Sequence, residues 1–194
     1  MRPLVFAWLW IAVSVAGIPW ARAEGTIRKE MTFLGFTEDG SRFLLQIHDA
    51  NTGDSLSFRS VETGKAEKTI PVESPGDLEP AVAKARKSLR IRDAGVEGPT
   101  SPDGRYTLIL VPKGPRTQIR VLRGERQAVL QTLDARGGGD GPIQWMLKSV
   151  HWSSDGRSLV LLLHRKEPGM VALDTDQAIS LRFMPSELQF GATP

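Results

Sequence analysis

Apolar residues along the chain are grouped into short runs that meet at turns containing Asp and Gly. An apolar run, a four-residue turn and a second apolar run follow one another in residues 34–46, 98–111 and 150–163. The three turns read Thr-Glu-Asp-Gly, Ser-Pro-Asp-Gly and Ser-Ser-Asp-Gly. Short apolar runs bounded by such turns are typical of β-strands, whereas helices need longer periodic segments. The pattern therefore predicts three antiparallel hairpins.

Further strands and turns extend each hairpin into an antiparallel meander. The meanders are predicted at residues 31–72, 95–134 and 143–184, and the second lacks a clear first strand. Each is about as long as one propeller blade, roughly 40 residues. Because closed propellers typically have about four blades or more, we expect a mainly β fold with three blade-like units in an open or irregular arrangement. A β-sandwich and a ring shared by two chains are the alternatives.

The segment between the first two meanders has helical periodicity. Its apolar residues recur at the spacing of one helix face and are Leu78, Val82, Ala85 and Leu89. This spacing predicts an inserted amphipathic helix over residues 77–92. Asp77 stands where its carboxylate could cap the first turn. The helix should end near Arg92.

The first 23 residues have the composition of an export signal. A positive start at Arg2 is followed by an uncharged run over residues 3–20, and Ala21-Arg22-Ala23 supplies the small residues that a signal peptidase reads. Cleavage after Ala23 would leave one domain, residues 24–194, in the periplasm or secreted. The alternative is a retained anchor, because the uncharged run is nearly long enough to span a bilayer. The chain has no cysteine, so this domain must rely on its apolar core instead of disulfides.

The charge of the predicted mature domain excludes a general nucleic-acid binder. The formal net charge of the chain is +3, and without Arg2 and Arg22 of the leader it falls to +1. Binding to nucleic acid requires a larger surplus of cations, because each phosphate contact displaces counterions.

The aspartates of the three turns are the first candidates for acid–base chemistry. They are Asp39, Asp103 and Asp155, and each precedes a glycine: Gly40, Gly104 and Gly156. An Asp side chain accepts hydrogen bonds from nearby backbone N–H groups, and Gly adopts the positive φ that a tight reversal needs. Their repetition in the same position favours a structural role in the turns over catalysis.

Other candidate sites lack the residues that their chemistry needs. The chain has three histidines, His48, His151 and His164, and no nucleophile on a Gly-x-Ser-x-Gly turn. His151 and His164 lie on strands predicted to pair and could face each other, but no third metal ligand has a telling spacing. Residues 49–54 resemble the start of a calcium loop without its closing glutamate, and 137–139 is a glycine run without the Lys-Ser/Thr of a phosphate loop. We therefore predict no catalytic residue, metal or cofactor, although residues assembled in space could still form a hydrolase site.

One local concentration of charge lies on the predicted helix. The cations are Lys84, Arg86, Lys87, Arg90 and Arg92. Placed toward the C-terminal end, they complement the helix dipole. They could instead contact an anionic surface such as phospholipid or lipopolysaccharide headgroups.

Two resemblances accompany these patterns. Ser-Pro-Asp-Gly-Arg at 101–105 and His-Trp-Ser-Ser-Asp-Gly-Arg at 151–157 resemble the TolB-type propeller repeat, which implies blades but no reaction. Residues 34–96, with Leu-Gly-Phe-Thr-Glu-Asp-Gly followed by a hairpin and an Ala/Arg/Lys-rich helix, are similar to a family of predicted secreted bacterial proteins of unknown function. That resemblance implies export and the order of blade and helix.

The sequence thus predicts a non-enzymatic exported protein, in the first instance a periplasmic or secreted module that binds another protein across the edges and loops of its meanders. The alternative is an envelope-surface protein that docks on anionic lipid or lipopolysaccharide through the basic helix.

Overall fold

The computed structural model of the protein describes residues 25–137, 141–169 and 171–192. The predicted export signal, residues 1–23, lies outside the described residues. The described chain is mainly β, with antiparallel meanders in open sheets and one α-helix, which confirms the predicted fold class. Among these residues, no helix has both the length and the apolar character needed to cross a bilayer.

The first meander pairs its strands antiparallel in chain order. They are β1 (Gly25–Thr37), β2 (Arg42–Asp49), β3 (Gly53–Ser60) and β4 (Ala66–Pro71). Successive side chains of β2 point to opposite faces, as strand geometry requires. Phe43 and Leu45 are buried in the core between meanders, whereas Leu44 is buried on the face that carries the helix. Both faces of this strand are therefore covered.

Helix α1 (Leu78–Ser88) follows a 3-10 turn (Pro75–Asp77) and packs on the outer face of the first meander. The predicted helix of residues 77–92 was wrong at its end. Arg90 has a φ of 53°, which does not continue a right-handed helix. Beyond it, β5 (Ile91–Asp93) pairs with the end of β1, so residues 91–93 form hydrogen bonds of a strand in place of those of a helix. The predicted cap was also wrong, because the Asp77 carboxylate accepts a hydrogen bond from Ser74 Oγ at 2.7 Å and caps no helix N–H.

After β6 (Val96–Glu97), the second meander forms a separate sheet. Its strands are β7 (Thr107–Lys113), β8 (Arg116–Arg123) and β9 (Arg126–Asp134). The third meander consists of β10 (Gln144–Trp152), β11 (Ser158–Glu167) and β12 (Val171–Arg182). A 3-10 turn (Pro185–Glu187) then leads to β13 (Gly191–Ala192), which pairs with β9.

Two predicted boundaries change in these meanders. β6 was assigned to the second meander, residues 95–134, but it pairs with β10 of the third. The sequence Asp-Thr-Asp at residues 174–176 predicts a turn between two strands of the third meander, yet these residues lie inside the continuous strand β12 and pair with residues 164–166 of β11. The ladder with β11 supplies backbone hydrogen bonds along the whole segment, and this pairing outweighs the local turn preference of Asp174 and Asp176.

Strand β1 joins the first and third meanders into one nine-stranded sheet. Its first residues, from Gly25 to Lys29, run parallel to β12, and the rest pairs antiparallel with β2. The sheet folds back on itself at this point. In the sheet, β1 and β2 lie between β12 and β3. Even so, Ser180 Oγ of β12 donates a hydrogen bond to the carbonyl of Val61, which follows β3, at 2.9 Å. The folded sheet encloses an apolar core between its halves.

The layers therefore follow the order second meander, third meander, first meander, α1. Trp152 and Leu161 of the third meander are buried against Ile119 of the second. On the outer face of the second meander, Arg120 donates hydrogen bonds to Gln118 and Gln127. Apolar Ile109, Val111 and Val129 share this outer face with Arg120, and the helix covers the opposite end of the stack.

Candidate functional site

A groove with a volume of about 1030 Å³ lies between α1 and strands β1, β2 and β5. We call it the α1 groove. Its apolar lining, the floor, consists of Leu34, Leu78, Val82, Ala83 and Ile91. Its basic lining, the rim, consists of Arg86, Lys87, Arg90 and Arg92. The rim side chains are exposed to solvent, and all of the floor except Ala83 is half-buried.

The helix packs on the sheet around Ala85, which is the one fully buried residue of α1. Ala85 is only 2% exposed and packs against Leu44, Leu56 and Phe58. The small side chain of Ala85 lets the helix approach the sheet closely. The adjacent positions 84 and 86 point to the two sides of the helix, away from this contact. The basic residues of the last helical turn and of β5 are thereby placed beside the apolar residues of the first turn.

Among the described residues, Arg86 is the one rim cation whose side chain is held by a hydrogen bond. Its Nη2 atom donates to the carbonyl of Leu34 at 2.8 Å. A guanidinium has five N–H donors, so four remain for other acceptors. Within the described residues no rim side chain forms an ion pair, and Glu79 is the one carboxylate of the lining. The groove thus carries an excess of three positive charges.

The structure brings four of the five predicted helix cations to this groove and leaves one out. Lys84 is exposed but is not part of the lining. Arg90 also borders a second hollow of about 630 Å³. That hollow contains Glu38, Asp39 and Glu67 as well as Arg42, so its charges are mixed and select no ligand charge.

Each of the three turn aspartates accepts hydrogen bonds within its own turn. The Oδ1 atoms accept from a Ser or Thr hydroxyl two residues before, at 2.6 Å in every case. The same atoms accept from the backbone N–H two residues after, at 3.0 to 3.1 Å. Gly40, Gly104 and Gly156 have φ values of 63°, 72° and 69°. This geometry is that of turn capping.

These hydrogen bonds hold the three carboxylates in their ionised form. The Thr37 hydroxyl is the main reason that the pKa of Asp39 falls to about 2. The Ser101 hydroxyl likewise lowers the pKa of Asp103. Burial raises the pKa of Asp155, but hydrogen bonds from Ser153 and the Arg157 N–H outweigh it and the pKa is lowered. A general acid needs the opposite shift.

The Asp-Gly turns also meet at one end of the molecule. Asp103 and Asp155 both line a hollow of about 390 Å³, and Ser158 Oγ donates to the carbonyl of Gly40 at 2.6 Å. The Oδ1 atoms of both aspartates are committed to their own turns. The two carboxylates therefore share one hollow while each uses its Oδ1 atom to cap its own turn.

The histidines are separated and have different partners. His151 stacks on Phe33 with ring centroids 4.3 Å apart, and burial lowers its pKa. His48 Nδ1 lies 2.9 Å from Asp54 Oδ1. His151 pairs with Val160 and His164 with Met146, so the two do not face each other as considered from the sequence. The described residues contain no group of three His, Cys, Asp or Glu side chains that could hold a metal.

The loop of residues 49–54, which resembles the start of a calcium loop, is an ordinary hairpin connection. The Asp49 carboxylate accepts from the backbone N–H of Asn51 at 2.9 Å within the β2–β3 hairpin, and Gly53 has a φ of 85°. Of the glycine run 137–139, residues 138 and 139 lie outside the described residues.

Sequence reasoning missed the most buried ionised cluster. Asp176 has a side chain only 1% exposed. Its Oδ2 atom accepts from Lys148 Nζ at 2.5 Å and from the Met31 N–H at 2.8 Å, while Oδ1 lies 3.1 Å from His164 Nδ1. Burial raises the pKa of Asp176, yet these hydrogen bonds outweigh it and the pKa is lowered. Lys148 and Asp176 are 28 residues apart, so no local spacing could have paired them.

Comparison with known proteins found no matching family model, no matching curated protein and no matching solved structure. The resemblances to TolB-type repeats and to secreted bacterial proteins therefore stay predictions from the sequence.

Proposed function

We propose that this protein is a non-enzymatic exported protein that docks on the anionic surface of the cell envelope through the rim of the α1 groove. The observation that carries the proposal is the convergence of Arg86, Lys87, Arg90 and Arg92 on one groove with a single opposing carboxylate, Glu79. Export is supported by the composition of residues 1–23.

The expected strength of this docking is modest. A cation near an anionic membrane surface contributes about 1 kcal/mol, so four rim cations contribute about 4 kcal/mol. That free energy corresponds to a dissociation constant on the order of 1 mM. Docking by charge alone is therefore reversible and sensitive to salt, because exposed charges are screened over about 10 Å at 0.1 M ionic strength.

The other predicted function, protein binding across the edges of the meanders, has less support. A polypeptide that adds a strand needs a free edge with unpaired backbone groups. The edge strand β4 contains Glu67, Lys68 and Pro71, and β7 contains Pro112. The other end strands, β5, β6 and β13, have two or three residues each. Because β6 pairs only with His151 and Trp152, residues 144–149 of β10 have no described strand partner on that side. Short, charged or Pro-containing edges are the features by which proteins discourage strand addition.

Cosedimentation with lipid vesicles tests the proposal. Residues 24–194 should pellet with vesicles containing phosphatidylglycerol, pellet less as salt rises, and stay in solution with phosphatidylcholine vesicles. The rim variant Lys87→Gln/Arg90→Asn/Arg92→Gln keeps the Arg86 hydrogen bond to Leu34 and uses Asn at position 90, which tolerates a positive φ. It should lose most of the binding.

The matched control removes the same charge from the other end of the stack. Lys113→Gln/Arg116→Gln/Arg126→Gln changes three exposed cations of the second meander. If the rim and control variants pelleted with the vesicles to the same extent, the net charge of the protein, and not the groove, would account for the binding. The protein-binding function would instead be supported if the protein did not bind vesicles and if an envelope protein captured it together with both variants.

A further inference from the structure

We infer that the α1 groove binds a single anionic membrane lipid, with an acyl chain on the apolar floor and the headgroup phosphate among the rim cations. This inference rests on the proposed function and adds a ligand class to it. An anionic surface would explain the rim alone. The rim cations, however, line the same groove as the apolar floor, to which half-buried Leu34, Val82 and Ile91 belong.

The volume and composition of the groove fit an amphiphile. About 1030 Å³ is close to the upper end of small-molecule sites, roughly 300 to 1,000 Å³, which are lined mainly by apolar groups with a few placed polar ones. Apolar residues from α1, β1 and β5 form the floor, and cations lie along one side. This division of apolar and positive surface is complementary to an acyl chain that ends in a phosphate.

The floor is less suited to a polypeptide. Gln46 is the one uncharged polar side chain of the lining, and the carbonyl of Leu34 already accepts a hydrogen bond from Arg86. An extended peptide backbone buried there would leave N–H and C=O groups without partners, which is costly. An acyl chain has no such groups, so the observations favour a lipid over an extended acidic peptide.

The rim side chains, and not the helix dipole, must provide the attraction for phosphate. Arg86 and Lys87 lie in the last turn of α1, where the dipole is negative. Substitution of Lys87, Arg90 and Arg92 should therefore weaken headgroup binding, because no favourable dipole compensates for the lost cations and only Arg86 of the rim remains. Arg86 is the best-positioned contact, since its bond to Leu34 orients a guanidinium that can bind phosphate through two further N–H groups.

Calorimetric titration with single-chain lipids tests the inference. The probes are a lysophosphatidylglycerol below its micelle concentration, glycerophosphoglycerol as the headgroup without a chain, and a lysophosphatidylcholine. We expect the anionic lysolipid to bind at least about tenfold more tightly than either of the others, which corresponds to about 1.4 kcal/mol. Equal affinity for the lysolipid and glycerophosphoglycerol would overturn the acyl-chain site.

The variant Ala83→Phe fills the groove from an exposed position and so leaves the core intact. It should lose the tenfold preference while still pelleting with phosphatidylglycerol vesicles. Lys84→Phe, which places the same side chain on α1 outside the groove, should keep the preference. If Ala83→Phe binds the lysolipid normally, the inference fails and the proposed function stands. If the rim variant bound vesicles as well as the unsubstituted protein, the proposed function itself would be contradicted. If an equimolar acidic amphipathic peptide displaced the lysolipid, the choice of a lipid as the ligand would be wrong.

Discussion

The Nζ atom of Lys148 lies 2.5 Å from Oδ2 of Asp176, and the two side chains together bind the backbone of Met31. Lys148 donates to the Met31 carbonyl at 3.2 Å, and Asp176 accepts from the Met31 N–H at 2.8 Å. Strand β1 pairs with β12 only from Gly25 to Lys29. The two side chains therefore replace the backbone partners that β12 no longer supplies to β1 beyond that point.

Replacement of Asp176 by Asn should destabilise the protein. The amide has the same shape, but it lacks the negative charge that pairs with Lys148, and with its oxygen toward Lys148 and Met31 its NH₂ group replaces the acceptor beside His164. We expect the free energy of unfolding to fall by about 3 kcal/mol, as when one partner of a buried ion pair is removed. Urea unfolding followed by tryptophan fluorescence measures this loss. Asp174→Asn is the control, because that carboxylate is 33% exposed; a similar loss in both variants would refute the role of Asp176.

The pKa of Asp39 should be about 2 in the folded protein. The value in the unfolded chain is about 3.9, so the folded-state pKa is depressed. The stabilisation from this group is present above about pH 4 and is lost as the pH falls toward 2. Because Asp39 is exposed, screening limits this stabilisation to less than about 1 kcal/mol. Carbon-13 NMR titration of the carboxyl group measures the pKa directly, and Thr37→Val should raise it; a value near 4 in the unsubstituted protein would contradict the capping geometry.

Substitution of Gly95 by Ala should be more damaging than substitution of Gly104. Both residues have a φ above 70°, where an L side chain is strained by roughly 1 to 2 kcal/mol. A Cβ at Gly95 would lie 2.9 Å from the Trp152 carbonyl oxygen and 3.2 Å from the Phe36 ring, whereas a Cβ at Gly104 would meet nothing within 4 Å. We expect Gly95→Ala to cost about 2 kcal/mol more than Gly104→Ala in urea unfolding. Equal costs would mean that the backbone near Trp152 can shift.

Enlargement of Ala85 should separate α1 from the sheet. Ala85→Leu places extra atoms against Leu44, Leu56 and Phe58, and overpacking of this kind costs about 1 to 3 kcal/mol. The same substitution at exposed Lys84 should change the free energy of unfolding by less than about 0.5 kcal/mol. Thermal unfolding of the two variants distinguishes them. A stable Ala85→Leu variant would indicate that α1 is loosely attached and that the α1 groove has no defined shape.

Local patterns were enough to predict most strands and the helix. Short apolar runs between Asp-Gly turns determine where hairpins form, because turn geometry acts within four residues. The end of α1 was predicted four residues late, since the partner that draws Ile91 into β5 is Thr37, 54 residues earlier in the chain. The basic residues of the helix were identified, but nothing in their spacing indicated the apolar floor beside them.

By itself, the sequence determined a mainly β chain of three meanders with one amphipathic helix, because these features depend on neighbours along the chain. The tertiary structure decided that the third meander lies between the other two, that β1 pairs in parallel with β12, and that Asp176 is buried beside Lys148. These are contacts between distant segments, and they form where buried surface and satisfied polar groups outweigh the entropy of closing long loops. The α1 groove belongs to the same class, because it exists only where α1, β1 and β5 meet.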